Sequence, residues 1–154
     1  MTKRLTVLLL AIMLVAGCNN SKRSSSGSTQ LQPAQASADS PSLKLNGKWE
    51  LNYISGPRIA FDGLYPKQKP TLEFNLPAAD ASGYSSCNSF SCKVAITGNK
   101  ISFGDARATM MACEGGGEQV FFKTLRQVNT YSITSDTTLT LIMGDIAMMR
   151  FVKK

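Results

Sequence analysis

Beyond position 42, apolar side chains recur at every second residue through several short stretches. Trp49, Leu51 and Tyr53 alternate with Lys48, Glu50 and Asn52, which predicts a strand with one buried and one wet face. Gly56-Pro57 breaks this run, and residues 58–69, with Gly63 and Pro66 among them, are expected to form the most mobile connection. A second alternation puts Leu72, Phe74 and Leu76 inward and stops at Pro77. Residues 78–81 read as a small loop. Residues 93–97 and 100–103 are two further strands, and Gly98-Asn99 between them has the two-residue spacing of a tight hairpin. Strands are also predicted over 131–134, 138–143 and 146–152, with turns at Ser135-Asp136 and Gly144-Asp145.

The period changes once. From Glu118 to Val128, Phe121, Leu125 and Val128 share one face at helical spacing with Phe122 beside them, and Glu118 lies at the end where the helix dipole favours an acid. Many short strands and one amphipathic helix predict a mainly β domain, a small antiparallel barrel capped by that helix.

The first 42 residues follow other rules. Lys3 and Arg4 precede an apolar run, residues 5–16, that is too short to span a bilayer comfortably, so residues 1–17 read as a secretory signal. The run ends in Leu14-Val15-Ala16-Gly17-Cys18, which resembles the bacterial lipobox. That resemblance implies diacylation and cleavage at Cys18, and Asn19 after it implies sorting to the outer membrane of a Gram-negative cell, facing the periplasm. Residues 18–42, rich in Ser, Gln, Ala and Pro, carry too little apolar surface to offset ordering entropy and read as a lipidated flexible tether to a domain spanning 43–154.

Composition narrows the chemistry. The chain carries 17 Lys and Arg against 10 Asp and Glu, and loss of the signal leaves a modest excess of +5 that is scattered along the sequence. Scattered charge argues against nucleic-acid binding. The chain has no histidine, which removes the usual general base, the commonest metal ligand and every Ser-His or Cys-His dyad. No catalytic residues, cofactor or metal site are expected. Glu114 and Glu118 lack a substrate geometry, Gly115-Gly116-Gly117 lacks the Lys-Ser/Thr of a phosphate loop and reads as flexible, and the methionines Met110, Met111, Met143, Met148 and Met149 read mostly as core filler. Cys87, Cys92 and Cys113 remain in an oxidising compartment, where three thiols allow one internal disulfide and leave one over. A zinc site built on three thiols would lack a fourth ligand of the usual kind.

Gly47-x-Trp49-x-Leu51, Pro70-Thr71-Leu72-x-Phe74, Gly83-x-x-x-Cys87-Asn88, Gly98-Asn99-x-Ile101-x-Phe103, Thr109-Met110-Met111-Ala112-Cys113 and the helix beginning at Glu118 together resemble the META domain of the heat-inducible HslJ lipoprotein family. The resemblance implies a compact β-rich domain in the bacterial envelope, linked to heat response and novobiocin resistance, without an established chemistry. It also implies the pair Cys87 to Cys113, which occupies two family positions; the long loop it closes is worth about 3–4 kcal/mol in the chain-entropy model. Cys92 stands where the family usually has Gly and is the candidate free thiol.

The expected function is that of a non-catalytic envelope lipoprotein supporting outer-membrane integrity or heat and antibiotic tolerance. It would be held to the outer membrane by its N-terminal lipid and would act on an unknown envelope protein. The alternatives are a pilotin-like chaperone or carrier holding an apolar peptide or lipid tail in the barrel and, third, a thiol-redox protein using Cys92.

Overall fold

The computed structural model describes residues 41–154, with side chains from Leu43 onward; the signal, Cys18 and nearly all of the tether lie outside the described residues. The described chain opens with a one-turn helix, α1 (Pro41–Leu45), followed by β1 (Gly47–Ile54), α2 (Phe61–Leu64), β2 (Thr71–Asn75), a 3-10 turn over Leu76–Ala78, β3 (Asp80–Tyr84), β4 (Ser89–Thr97), β5 (Lys100–Phe103), β6 (Arg107–Ala108), α3 (Gly117–Leu125), β7 (Thr130–Thr134), β8 (Thr138–Met143) and β9 (Ile146–Lys153).

All strand pairings are antiparallel. The order β3-β2-β1-β9-β8-β7-β5-β4-β6 is closed by the additional pairing of β3 with β4, so eight strands form a ring and β6 adds to the rim of β4. The seam between β5 and β7 is the thinnest. It holds through the Lys100 and Thr130 pair, the bonds Ile101 N to Asn129 O (3.1 Å) and Tyr131 N to Asn99 O (2.9 Å), and the Tyr131 hydroxyl donating to Gly98 O at 3.0 Å.

An eight-stranded ring is just wide enough for side chains to fill it. Trp49, Leu51, Leu72, Leu139, Leu141, Met149 and Phe151 are buried in the core, and the Trp49 indole donates to Leu45 O at 2.8 Å, tying α1 to β1. Helix α3 supplies the cap: Phe121 is fully buried, its ring 5.5 Å from Phe90, while Phe122 meets Phe90 edge-on at 5.2 Å. Val128, expected within the helix, is buried just beyond its end.

Local differences from the sequence pattern have physical causes. Tyr53 was expected inward, but the register of β1 against β9 shifts between Leu51 and Tyr53, so the alternation changes phase. Ile54 takes the inward position, and Tyr53 is left exposed beneath the Arg150 guanidinium, 5.3 Å from its ring. Leu76 leaves the strand for the 3-10 turn, and Asp80 and Ala81 join β3 where a loop was expected. Residues 58–69 contain α2, with Leu64 and Tyr65 buried, so the expected loop is anchored by two core side chains. Strand β4 begins at Ser89, four residues before the expected start, because Ser89–Lys93 pair with Tyr84–Asp80.

Gly83 is required by close approach. A Cβ there would lie 2.0 Å from the Thr71 carbonyl oxygen across the β2–β3 ladder. Gly83→Ala is expected to lower stability by about 1–3 kcal/mol or to prevent folding, as overpacking does. Gly104→Ala, whose added carbon would meet atoms at ordinary contact distances of 3.6 Å and beyond, should be nearly neutral; urea unfolding of both variants measures the difference.

Candidate functional site

The β3–β4 connection is four residues, Ser85–Asn88, and brings Cys87 and Asn88 to the rim of the ring beside the start of α3 and the segment after β6. Ser86 carries the turn with φ of 93°, and Ser85 N donates to Asn88 O at 2.8 Å. Cys87 is joined to Cys113 by a disulfide, with Cα atoms 5.9 Å apart. The bond ties the tip of the hairpin to the segment 109–114, which has no strand or helix of its own.

Asn88 is buried, and its carboxamide is fully used. Its Oδ1 accepts from Thr109 Oγ1 at 2.7 Å and from the backbone N of Met111 at 2.9 Å. Its Nδ2 donates to Glu118 Oε1 at 3.1 Å and to Met111 O at 3.3 Å, and lies 3.0 Å from Cys113 Sγ. A backbone amide can only donate and a carboxylate here only accept, so these partners fix which end of the carboxamide is oxygen. The other carboxylate oxygen of Glu118 accepts from Ser85 Oγ and from Asn88 N, the latter at 3.2 Å. Glu118 stands in the first turn of α3, so its carboxylate anchors the helix start to the hairpin. The cluster therefore joins the hairpin tip, the 109–111 segment and the helix start by hydrogen bonds to one amide and one carboxylate.

Gly117 completes the junction. It is buried, its carbonyl accepts from the Tyr65 hydroxyl at 3.1 Å, and a Cβ on it would lie 2.5 Å from Leu64 O. The glycine run expected to be a flexible loop thus ends in a close backbone contact with α2. Burial pushes the Tyr65 hydroxyl upward from its ordinary pKa, keeping it a neutral donor. A depression of about 500 Å³ lies alongside, lined by Leu64, Tyr65, Lys67, Cys87, Cys113 and Glu114 among others.

Cys92 lies elsewhere. It is a free, buried thiol on β4, paired in register with Ala81, and it borders a second depression, about 610 Å³, with Asp80, Lys93, Asp105 and Arg107. Lys93 is occupied with Asp80 at 2.7 Å. Burial, with a smaller contribution from the Asp80 charge, pushes the Cys92 thiol up from 9.0 to about 11. A thiol held protonated is a poor nucleophile and a poor metal ligand. Among the described residues, no group of three or more His, Cys, Asp or Glu side chains converges as a metal site would require. Cys87 and Cys113 form the disulfide that the family resemblance implies, with Cys92 left over as the free thiol; the Asn88–Glu118 bond was missed. Its signal was the Asn following Cys87 and the Glu opening the helix, two polar residues that motif and dipole readings had treated separately.

The methionines divide. Met148 and Met149 are buried and Met143 packs against the core, but Met110 is 98% exposed and Met111 59%. The core-filler reading therefore fails for the adjacent pair; Asn88 holds the Met111 backbone at the rim while both residues are exposed.

The model of the META domain family matches residues 41–154. The chain belongs to the META domain family. The match covers every strand and helix of the ring. The META fold is also seen in solved structures. An NMR structure of a protein from Burkholderia xenovorans has a TM-score of 0.57 at 22% identity, covering 74% of this chain and 88% of that one. A crystal structure of a DUF4847 family protein from Bacteroides vulgatus ATCC 8482 has a TM-score of 0.52 at 11% identity, over 73% of this chain and 96% of that one. At these identities the likeness speaks for the fold alone. No curated protein matches the chain at the sequence level.

Two outcomes test this geometry. Asn88→Ala removes every bond of the carboxamide and leaves Met111 N and part of the Glu118 carboxylate without partners; stability in urea should fall by about 3 kcal/mol while the disulfide stays intact by non-reducing mass mapping. For Cys92 the native pKa lies above the unfolded one, so its contribution is fully present below pH 9 and is lost as pH rises toward about 11. The stability of the wild-type protein should therefore drop more steeply between those pH values than that of Cys92→Ala, a difference that cancels the tyrosines, and parallel curves would refute the assignment.

Proposed function

We propose that this META domain is the folded part of a non-catalytic, lipid-anchored envelope protein that supports outer-membrane integrity or tolerance of heat and antibiotic stress through contacts with another envelope protein. The observation that carries the reading is how the polar rim is used. Asn88, Ser85, Thr109 and Glu118 spend their hydrogen-bonding capacity on one another and on backbone, so the cluster works as a structural lock. A ring closed by pairing of β3 with β4 and cross-linked at its rim suits a domain that must keep its shape under stress. The lipobox-like Leu14 to Cys18 and the polar tether support an anchored domain with reach from the membrane surface.

The packing weighs against the carrier reading, since Trp49, Phe121 and Phe151 occupy the ring where an apolar guest would sit. The buried and protonated Cys92 weighs against a thiol-redox enzyme.

The full chain should incorporate labelled palmitate and fractionate with the outer membrane, and Cys18→Ser should lose both. Crosslinked capture from membranes should return a reproducible envelope partner with the wild-type chain. Soluble wild-type protein, or capture without a partner together with no deletion phenotype under heat or antibiotic stress, would defeat the proposal.

A further inference from the structure

The exposed pair Met110 and Met111 is not explained by packing, and its surroundings are unusual for a mobile loop. The backbone of Met111 is held on both sides, its N–H donating to Asn88 Oδ1 at 2.9 Å and its carbonyl accepting from Asn88 Nδ2 at 3.3 Å. Thr109 on one flank is held by the same Asn88, and Cys113 on the other by the disulfide. The segment is thus fixed at residues 109, 111 and 113, while the Met110 side chain is 98% exposed and that of Met111 59%. None of these restraints involves a methionine sulfur.

We propose that Met110 and Met111 form a surface oxidation site for peroxide. A lone pair on the Met110 or Met111 thioether Sδ attacks one oxygen of hydrogen peroxide and the O–O bond breaks. Sulfur is oxidised by two electrons to the sulfoxide, the peroxide is reduced, and one water leaves per residue. Access to Sδ governs where this happens, and the described methionines differ widely in access, since Met148 and Met149 are buried. The product is a polar sulfoxide in place of an apolar projection, at a position the Asn88 bonds and the disulfide hold in either state. The oxidation changes surface chemistry without changing the fold. Cys92 does not compete as a thiolate, being buried in the strand.

The test uses the full-length chain treated with hydrogen peroxide, with peptide mapping by mass spectrometry over time. Met110 and Met111 should gain one oxygen each at least about tenfold faster than Met148 and Met149. The treated protein should keep its melting temperature within about 2 °C. It should elute earlier in hydrophobic interaction chromatography, and Met110→Leu/Met111→Leu should show no such change after the same treatment. Equal oxidation of Met148 and Met149, unfolding on modification of the exposed pair, or unchanged retention of the oxidised wild type would each overturn the proposal.

Discussion

The META ring of this protein depends on a single buried carboxamide. Asn88 touches three pieces of chain that are far apart in sequence: the β3–β4 turn that contains it, the segment 109–111, and the helix start at Glu118. A buried amide is costly unless every donor and acceptor is matched, and here the matching groups are backbone and carboxylate atoms that would themselves be orphaned without it. That mutual need makes the arrangement cooperative. It positions α3 so that Phe121 enters the ring against Phe90, coupling a polar contact at the rim to the packing of the apolar interior.

The ring in turn constrains where backbones can meet. At the β2–β3 ladder Gly83 lets the Thr71 carbonyl approach to within what a side chain would occupy, and at the helix start Gly117 does the same for Leu64. Both positions lie next to the lock, one near the tip of its hairpin and one at the head of α3. Closure is uneven elsewhere, with five register pairs joining β3 to β4 but one joining β5 to β7, where turn and side-chain bonds from Tyr131 complete the seam.

Much of this was legible in the sequence because period-two alternation is a direct consequence of burying one face of a strand. Trp49, Leu51, Leu72 and Phe74 went where alternation sent them, and the change to helical spacing located α3. Tyr53 was misread because a bulge is set by pairing with β9, a long-range fact that a local pattern does not contain. Residues 58–69 and the glycine run were misread as mobile for the same reason, since the contact that buries Tyr65 against Gly117 joins segments 52 residues apart. Met110 and Met111 are the exceptions to a core-filler reading that holds for Met143, Met148 and Met149: a thioether is apolar enough to be assigned to a core, and the rim segment that carries this pair has no strand or helix pattern to show which way it faces.

The disulfide and the Asn88 lock bind the same two segments, yet they do different physical work. The bond from Cys87 to Cys113, with a sequence separation of 26, acts chiefly by restricting the unfolded chain, by about 3–4 kcal/mol in the chain-entropy model. The carboxamide acts on the folded state alone, by specifying where the 109–111 backbone lies relative to α3. A cross-link without the lock would keep the segments near each other but leave many relative positions open. A lock without the cross-link would specify the geometry while leaving the unfolded chain freer and the fold less stable. Having both gives the rim one conformation together with a reserve of stability, and this combination lets an apolar pair such as Met110 and Met111 stand in solvent without collapsing onto the ring.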